Sequence, residues 1–356
     1  MIDSIHFKKI RLDMVKPFKI ALGSTNEYTG YLVKVMTDDG ISGFGEAVPT
    51  PIITGDSDGS IEYELSLFSR LLKGKEESPE LLNDLMKSYA RSSRASRAAV
   101  DMAVYDIIAK RSKMPLYKLI GNYRKSMETS YTVDLVSPDL ARKQAEEFLD
   151  KDILIYKIKL GSGIDEDYQR VEAVRSVVGE REIYVDFNQS YTPKNAVYLA
   201  DLIKKFNVSM IEQPVAAHDV KGMKFVKDNT SISVMADESV YSPEDATKIV
   251  EYDAADMINV KLMKSGGITD ALKIIDIAEG AGLKTMVGCM VETKLANSAA
   301  LNVVLGRKNV NHADLDGYSS IKIDITEKSM MLKKGINYPY NGDGIGALIR
   351  PEYSDF

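Results

Sequence analysis

Residues 153–188 contain three segments of distinct pattern: "ILIYKIKL" (153–160), then "IDEDYQRVEAVRSVVG" (164–179), then "EIYVDFN" (182–188). The first and third segments are short apolar runs of the kind that form buried strands, and the middle segment is helix-like. A strand, a helix and a second strand in this order predict two parallel strands joined by a crossover helix.

Strand-like segments of the same kind recur along the chain: "SYTVDL" (130–135), "VSMIEQP" (208–214), "SVMADES" (233–239), "DMINVKL" (256–262), "KTMVGCM" (284–290) and "HADLDG" (312–317). Together with the two strands above they make eight, and most of the gaps hold helix-like segments. This count and length predict an α/β fold, a (β/α)₈ barrel over residues 126–319. A doubly wound open sheet is the competing architecture.

The first 125 residues have a different rhythm. Three stretches read as strands joined by turns, with Asp39-Gly40 marking a tight hairpin, and a helix stripe follows at Val100, Ala103, Val104, Ile107 and Ile108. An antiparallel sheet followed by helices predicts a separate α+β domain over residues 1–125. We expect the C-terminal tail, residues 320–356, to pack back on this domain.

The composition is that of an ordinary globular protein, with 44% hydrophobic and 28% charged residues in 356. A net charge of −6 argues against a nucleic-acid partner, which usually requires a basic face. The single cysteine, Cys289, allows no internal disulfide. Neither a signal peptide nor a run of about 18 apolar residues is evident, so we expect a cytoplasmic protein without a membrane partner.

Charged residues stand at the ends of the predicted strands, where the chemistry of such a barrel is located. Three of them are acidic, and the spacing from Asp186 to Glu212 is 26 residues and from there to Asp237 is 25. Because one strand–helix unit has about this length, consecutive strands would bring these carboxylates to one rim, where they repel unless a cation lies among them. Hard oxygen ligands suit Mg²⁺ or Mn²⁺, and the three histidines (His6, His218, His312) do not cluster with them. The competing interpretation places each carboxylate in solvent at a turn.

Lysines accompany the carboxylates. Lys157 and Lys159 are two residues apart on one predicted strand and therefore share a face, and Lys261 ends a later strand. A lysine that acts as a general base must be neutral, which nearby positive charge favours. We expect Lys157 and the cation to keep Lys159 neutral, with Lys261 facing it across the barrel mouth. Two exposed lysines on an edge strand are the alternative.

In combination, "YKIKL", "VDFNQ", "IEQP", "ADES" and "NVKLMKSGG" make the chain resemble the enolase superfamily, specifically its muconate-lactonizing subgroup. Within it, "GCMVETKLANSAALN" followed by "DLDG" resembles the dipeptide epimerases of the L-Ala-D/L-Glu kind. The resemblance implies a barrel with an N-terminal capping domain, one Mg²⁺ per subunit, and epimerisation of an L,L-dipeptide at the α-carbon of its C-terminal residue through an enediolate. It also suggests a role in recycling cell-wall peptides, and homo-oligomers are common among such barrels.

Roles for individual residues follow from the resemblance. Asp186, Glu212 and Asp237 would hold the metal; Lys159 and Lys261 would be the two acid/base catalysts; Lys157 would stabilise the enediolate; Asp314 and Asp316 would bind the ammonium of the substrate; Thr132 and Cys289 would contact it. Gly23 stands where some glutamate-preferring relatives carry an arginine, so the preferred side chain is open. Lys19 or the loop "TPIITGDSDG" (50–59) are candidate replacements.

Three other functions compete. A lyase or cycloisomerase of the same superfamily, such as o-succinylbenzoate synthase, needs one base and has no use for an ammonium site. The substrate of N-succinylamino-acid racemisation has no free ammonium group either, so it would not use such a site. A non-catalytic barrel would gain nothing from three buried lysines. The pair Asp314 and Asp316 therefore favours the epimerase.

Overall fold

The computed structural model describes residues 1–20 and 23–356, and the side chains outside residues 16–26. Its strands are β1 (Ile2–Ile20), β2 (Gly23–Thr37), β3 (Ser42–Ala47), β4 (Met127–Glu128), β5 (Ser130–Val133), β6 (Ile155–Lys159), β7 (Glu182–Asp186), β8 (Val208–Glu212), β9 (Ser233–Ala236), β10 (Met257–Lys261), β11 (Lys284–Gly288), β12 (Val310–Asp314), β13 (Thr326–Lys328), β14 (Met331–Lys333), β15 (Ile336–Tyr338) and β16 (Leu348–Ile349).

Its α-helices are α1 (Asp58–Leu71), α2 (Pro79–Tyr89), α3 (Arg94–Arg111), α4 (Leu116–Leu119), α5 (Pro138–Asp150), α6 (Ile164–Val178), α7 (Pro193–Ile203), α8 (Val220–Asp228), α9 (Pro243–Glu251), α10 (Leu262–Ser265), α11 (Ile268–Gly280), α12 (Lys294–Gly306) and α13 (Pro351–Ser354). None of the helices in the described part of the chain is long and apolar enough to cross a bilayer.

Strands β5 to β12 form one parallel sheet in chain order. Its two outer strands meet, because Ser130 Oγ of β5 donates to Asp314 Oδ1 of β12 at 2.6 Å and Leu315 N donates to Thr129 Oγ1 at 2.9 Å. The predicted (β/α)₈ barrel is confirmed and the open sheet is excluded. All eight strands overlap the segments that the sequence predicts, with β12 beginning two residues before its segment.

The strand register brings the charged residues to one level. Lys159 is the neighbour of Asp186, and Asp186 in turn is the neighbour of Glu212. On the other side of the barrel, Lys261 pairs with Gly288, and Gly288 pairs with Asp314. Parallel strands with helical crossovers all end at the same face, so this register assembles a charged ring at the barrel mouth.

The barrel floor is a layer of apolar side chains, one from each of six consecutive strands: Ile155, Tyr184, Met210, Met235, Met257 and Met286. All are at least 93% buried. Four of the six are methionines, whose unbranched side chains fill the irregular space in the middle of the barrel.

The N-terminal sheet is antiparallel, in the order β1-β2-β3, and α3 lies against β3. The contact is close enough that a Cβ atom on Gly43 or Gly45 would approach a carbonyl oxygen of α3 to about 2 Å. Glycine is therefore required at both positions for α3 to pack here.

One side chain of this sheet reaches into the barrel. Glu46 on β3 accepts hydrogen bonds from Thr293 N at 2.9 Å, from Thr293 Oγ1, and from Ala296 N, all at the start of α12. Tyr28 on β2 also donates to Glu46 at 2.5 Å. A residue of the first domain thus satisfies the free amides at the N-terminus of a barrel helix.

The C-terminal segment touches the first domain at several points. Lys322 N donates to Asp13 O at 2.9 Å, Gly344 N to Met114 O at 3.1 Å, and Ile345 N to Asp106 Oδ1 at 2.9 Å. The division into residues 1–125, 126–319 and 320–356 stays a prediction.

Candidate active site

The two lysines of β6 lie side by side inside the barrel mouth and share one carboxylate. Asp186 Oδ2 is 3.1 Å from Lys157 Nζ and 2.7 Å from Lys159 Nζ. Lys157 Nζ is also 2.7 Å from Glu212 Oε2 and 2.9 Å from Asp314 Oδ2. Burial alone would lower the pKa of Lys157, but these three carboxylates raise it well above its ordinary value. Lys157 is a fixed positive charge at the centre of the site.

Lys261 projects from the opposite wall. Strand β10 is four strands from β6 in the eight-stranded sheet, so Lys261 and Lys159 face each other across the mouth. Lys261 Nζ is 2.7 Å from Asp237 Oδ2. A Cβ atom on Gly288 would come within 3.2 Å of Lys261 Cε, so the absence of a side chain there makes room for this lysine.

A further lysine, Lys264 on the short helix α10, supports Asp237 from below. Its Nζ lies 2.5 Å from Asp237 Oδ1 and donates to the carbonyl oxygens of Asp237, Val240 and Asn259. Burial raises the pKa of Asp237, but the charges of Lys261 and Lys264 outweigh that effect and lower it. Lys264 was not among the site residues predicted from the sequence, although "NVKLMKSGG" places it three residues after Lys261.

The remaining acidic groups are held less completely. Glu212 Oε1 accepts from Asn259 Nδ2 at 2.8 Å, and Glu238 Oε1 accepts from Asn188 Nδ2 at 3.2 Å. Glu238 Oε2 is buried without a hydrogen-bond donor among the described residues. Burial and the charge of Asp186 raise the pKa of Glu212 to about 8.

The charged groups around the mouth carry more negative than positive charge, and a cation would balance the excess. Four lysine ammonium groups face six carboxylates, a formal excess of two negative charges: Lys157, Lys159, Lys261 and Lys264 against Asp186, Glu212, Asp237, Glu238, Asp314 and Asp316. In the described part of the chain, no three acidic, histidine or cysteine side chains converge in a ready-made metal cage, because the lysines pair with the carboxylates. The carboxylates of Asp186, Glu212 and Asp237 offer hard oxygen donors, which fit a divalent cation such as Mg²⁺.

Asp314 and Asp316 lie on the third side of the mouth, at the end of β12. Asp314 is 4% exposed and is already bound by Ser130 and Lys157. Asp316 is half-buried, and its Oδ2 accepts from Thr132 N at 2.8 Å. Burial and the neighbouring charge of Asp314 raise the pKa of Asp316 to about 7. Of the two, Asp316 is the more accessible.

A cavity of about 730 Å³ opens above these groups. Thr132 and Cys289 both line it, as do the charged groups Lys157, Lys159, Lys261, Asp314 and Asp316. The Cys289 thiol has its pKa raised by burial and accepts from Gly317 N at 3.4 Å, as expected of a structural thiol.

One wall of the cavity is apolar. It is formed by the segment 48–53, of sequence "VPTPII", which follows β3. Glu46 fixes the start of this segment to Thr293, between β11 and α12, and the Tyr241 hydroxyl, between β9 and α9, donates to Ile53 O at 2.6 Å. The segment therefore passes over the ends of β9 to β11, above Asp237 and Lys261. Lys19 and Gly23, which the sequence analysis considers for the preferred substrate side chain, lie within residues 16–26, whose side chains are outside the described part.

Two family models match the chain. The enolase C-terminal domain-like model matches residues 140–353, and the mandelate racemase/muconate lactonizing enzyme N-terminal domain model matches residues 5–121.

Similar proteins match the chain over most of their length. The chain is 37% identical to an L-Ala-D/L-Glu epimerase of Clostridium acetobutylicum, over 89% of this chain and 90% of the relative. It is 34% identical to a hydrophobic dipeptide epimerase of Enterococcus faecalis, over 88% and 90%. A solved dipeptide epimerase of Enterococcus faecalis, complexed with Mg and L-Leu-L-Tyr, has a TM-score of 0.95 at 32% identity, covering 98% of this chain and 99% of that one. The chain therefore belongs to the mandelate racemase/muconate lactonizing enzyme family, within the enolase superfamily.

Proposed function

We propose that this protein is a Mg²⁺-dependent dipeptide epimerase that inverts the α-carbon of the C-terminal residue. The observation that carries the proposal is the placement of Lys159 and Lys261 on opposite walls of one carboxylate-lined mouth, with Asp316 on a third side. Such a site can remove a proton from one face of a carbon and return it to the other. The names of the relatives support the same reaction.

The proton transfer needs two lysines in opposite states. One, as the neutral amine, takes the α-proton; the other, as the ammonium ion, donates a proton to the opposite face, and in the reverse reaction the roles exchange. Lys157, fixed by three carboxylates, lies where it can stabilise the negative charge that develops on the substrate carboxylate.

Asp186, Glu212 and Asp237 are the residues that would hold the metal ion, and the similar structure complexed with Mg supports Mg²⁺ as that ion. A bound Mg²⁺ supplies positive charge to the substrate carboxylate and so acidifies the α-proton. We propose that each subunit binds one metal ion at this site and that the ion is Mg²⁺ rather than Mn²⁺.

The third side of the site would bind the substrate's amino terminus. Asp314 and Asp316 both line the cavity, and the charge of Asp314 is neutralised in part by Lys157. A lyase substrate or an N-acylated amino acid offers no ammonium to these carboxylates. Thr132 would hold Asp316 in place through its backbone amide.

The position of segment 48–53 suggests the side chain that is preferred. A dipeptide with its ammonium at Asp316 and its carboxylate near Asp237 would have its C-terminal side chain below this apolar segment. We propose that large apolar C-terminal residues are accepted in preference to glutamate. The relative complexed with L-Leu-L-Tyr supports this proposal.

The test is a deuterium-exchange screen. The protein with Mg²⁺ is incubated in D₂O with L-Ala-L-Xaa and L-Xaa-L-Glu dipeptides, N-succinylamino acids and lyase substrates. We expect a gain of about one dalton at the α-carbon of apolar L-Ala-L-Xaa dipeptides, abolished by EDTA. Exchange confined to N-succinylamino acids, or none with any dipeptide, would reject the proposal. A preference for Glu would retain the reaction and reject the apolar selectivity.

A pH dependence of binding is expected from Asp316. Its pKa is raised to about 7, so the carboxylate loses its charge as the pH falls through that value, and its attraction for an ammonium ion is lost with it. Calorimetry with L-Ala-aminoisobutyrate, which has no α-proton to exchange, should show binding weakening about tenfold per pH unit below 7. Asp316→Asn should bind weakly throughout and flatten this dependence. N-acetylation of the probe is the control: the acetylated compound should bind both proteins equally, and a difference between them would place the ammonium elsewhere.

A further inference from the structure

Residues 50–55 form a compact turn, named here the 50–55 turn. Ile53 N and Thr54 N donate to Thr50 O at 3.0 and 2.8 Å, and Gly55 N donates to Pro51 O at 3.2 Å. These internal bonds hold the turn in one shape. Ile52, at its tip, is 61% exposed and lines the cavity.

The first domain holds the turn at its base. Asp56, directly after it, accepts from Arg94 N at 3.0 Å and from Ala95 N at 3.4 Å at the start of α3. These contacts fix where the turn leaves the domain. They do not fix how far its tip lies from the barrel mouth.

Tyr241 makes that second connection. Its hydroxyl donates to Ile53 O at 2.6 Å, across 188 residues of sequence. Its ring lies 5.5 Å from Lys264 Nζ, the ammonium group that pairs with Asp237, and 5.4 Å from Arg94 Cζ at the start of α3. The ring thus makes cation–π contacts with one residue of the barrel and one of the first domain, which favour a fixed position of the ring. Burial raises the pKa of Tyr241, so the hydroxyl remains a donor at neutral pH.

We propose that Tyr241 is a positioning residue that holds the 50–55 turn against the barrel mouth, and thereby sets how closely the substrate's C-terminal side chain is enclosed. Tyr241 acts through Ile53 and Ile52 and takes no part in proton transfer. The substrate part of this inference rests on the proposed dipeptide epimerase function; the positioning of the turn does not.

The kinetic test is Tyr241→Phe, which keeps the ring and removes the hydroxyl. For L-Ala-L-Leu we expect KM to rise about fivefold, the change in an equilibrium constant that the loss of one typical hydrogen bond causes. The value of kcat should change little. For L-Ala-L-Ala, whose methyl group is too short to reach the turn, KM should hardly change. The affinity for Mg²⁺ should equal that of the wild type. If the substitution disturbed Asp237 in general, this affinity would fall.

Tyr191→Phe is the matched control. It also removes a tyrosine hydroxyl that is hydrogen-bonded to a barrel residue, Asp167, but one without contact to the turn. It should leave the ratio of KM values for the two dipeptides as it is. Equal changes for both dipeptides in Tyr241→Phe, or loss of Mg²⁺ affinity, would overturn the positioning role.

A second readout needs no activity. The chain contains no tryptophan, so Ile52→Trp introduces a single tryptophan at the tip of the turn, which can be excited selectively over the 19 tyrosines. With Tyr241 present, the fast component of its anisotropy decay should be small; adding Tyr241→Phe should increase it, and adding Tyr191→Phe should not. An unchanged decay overturns the positioning of the turn whatever the enzyme does. If instead the wild type exchanges no dipeptide while the decay does change, the proposed function fails and the positioning role survives.

Discussion

Lys159→Ala should lose epimerase activity by at least about 10³-fold, the usual contribution of a positioned acid or base. It should, however, still exchange the α-proton of one epimer in D₂O, because Lys261 on the opposite wall remains. Lys261→Ala should show the mirror result and exchange the other epimer alone. Mass spectrometry on separated L,L- and L,D-dipeptides measures both exchanges.

Lys143→Ala is the control for this pair, because it removes an exposed lysine from the rim of the same cavity. It should retain turnover with both epimers. Exchange of both epimers by Lys159→Ala would show that one base serves both faces, and the two-lysine mechanism would be abandoned.

Glu212→Gln should lower the affinity for Mg²⁺ by at least about 100-fold, since changes to residues that merely support metal ligands already cost 10- to 100-fold. The substitution keeps the shape of the side chain and its contact with Asn259, but removes one negative charge from the three proposed ligands. Isothermal titration with Mg²⁺ measures the affinity, and turnover should fall in parallel at limiting metal.

Glu238→Gln is the matched comparison. Glu238 is as deeply buried as Glu212 and lies in the same cluster, but it is not a proposed ligand. Its substitution should affect the affinity far less. If the two variants weaken Mg²⁺ binding equally, the assignment of Glu212 over Glu238 is wrong.

The sequence was sufficient for those parts of the site that strand spacing controls. Asp186, Glu212, Asp237 and Lys261 follow one another by one strand–helix unit, and parallel strands all end at one face, so regular spacing translates into convergence. The barrel was predicted for the same reason, whereas the family was predicted from the resemblance of its short motifs. The individual roles of these residues still await the experiments above.

Other features depend on contacts between distant segments, which spacing does not encode. The bond from Tyr241 to Ile53 joins residues of two domains. Asp314 was expected to face the substrate beside Asp316, yet it is largely occupied by Lys157 and Ser130. Four of the sixteen methionines, scattered in the sequence, assemble into one layer only because four strands place them at the same height.

The contact between Glu46 and Thr293 sets a condition on exchanging domains between relatives. A chimera that joins the first domain of one family member to the barrel of another keeps α12 in place only if the incoming strand supplies an acceptor where Glu46 stands. Without it, the segment carrying Cys289 and the base of segment 48–53 would lose their shared support. Recombination of substrate selectivity among these proteins should therefore succeed when the two contact partners are transferred together.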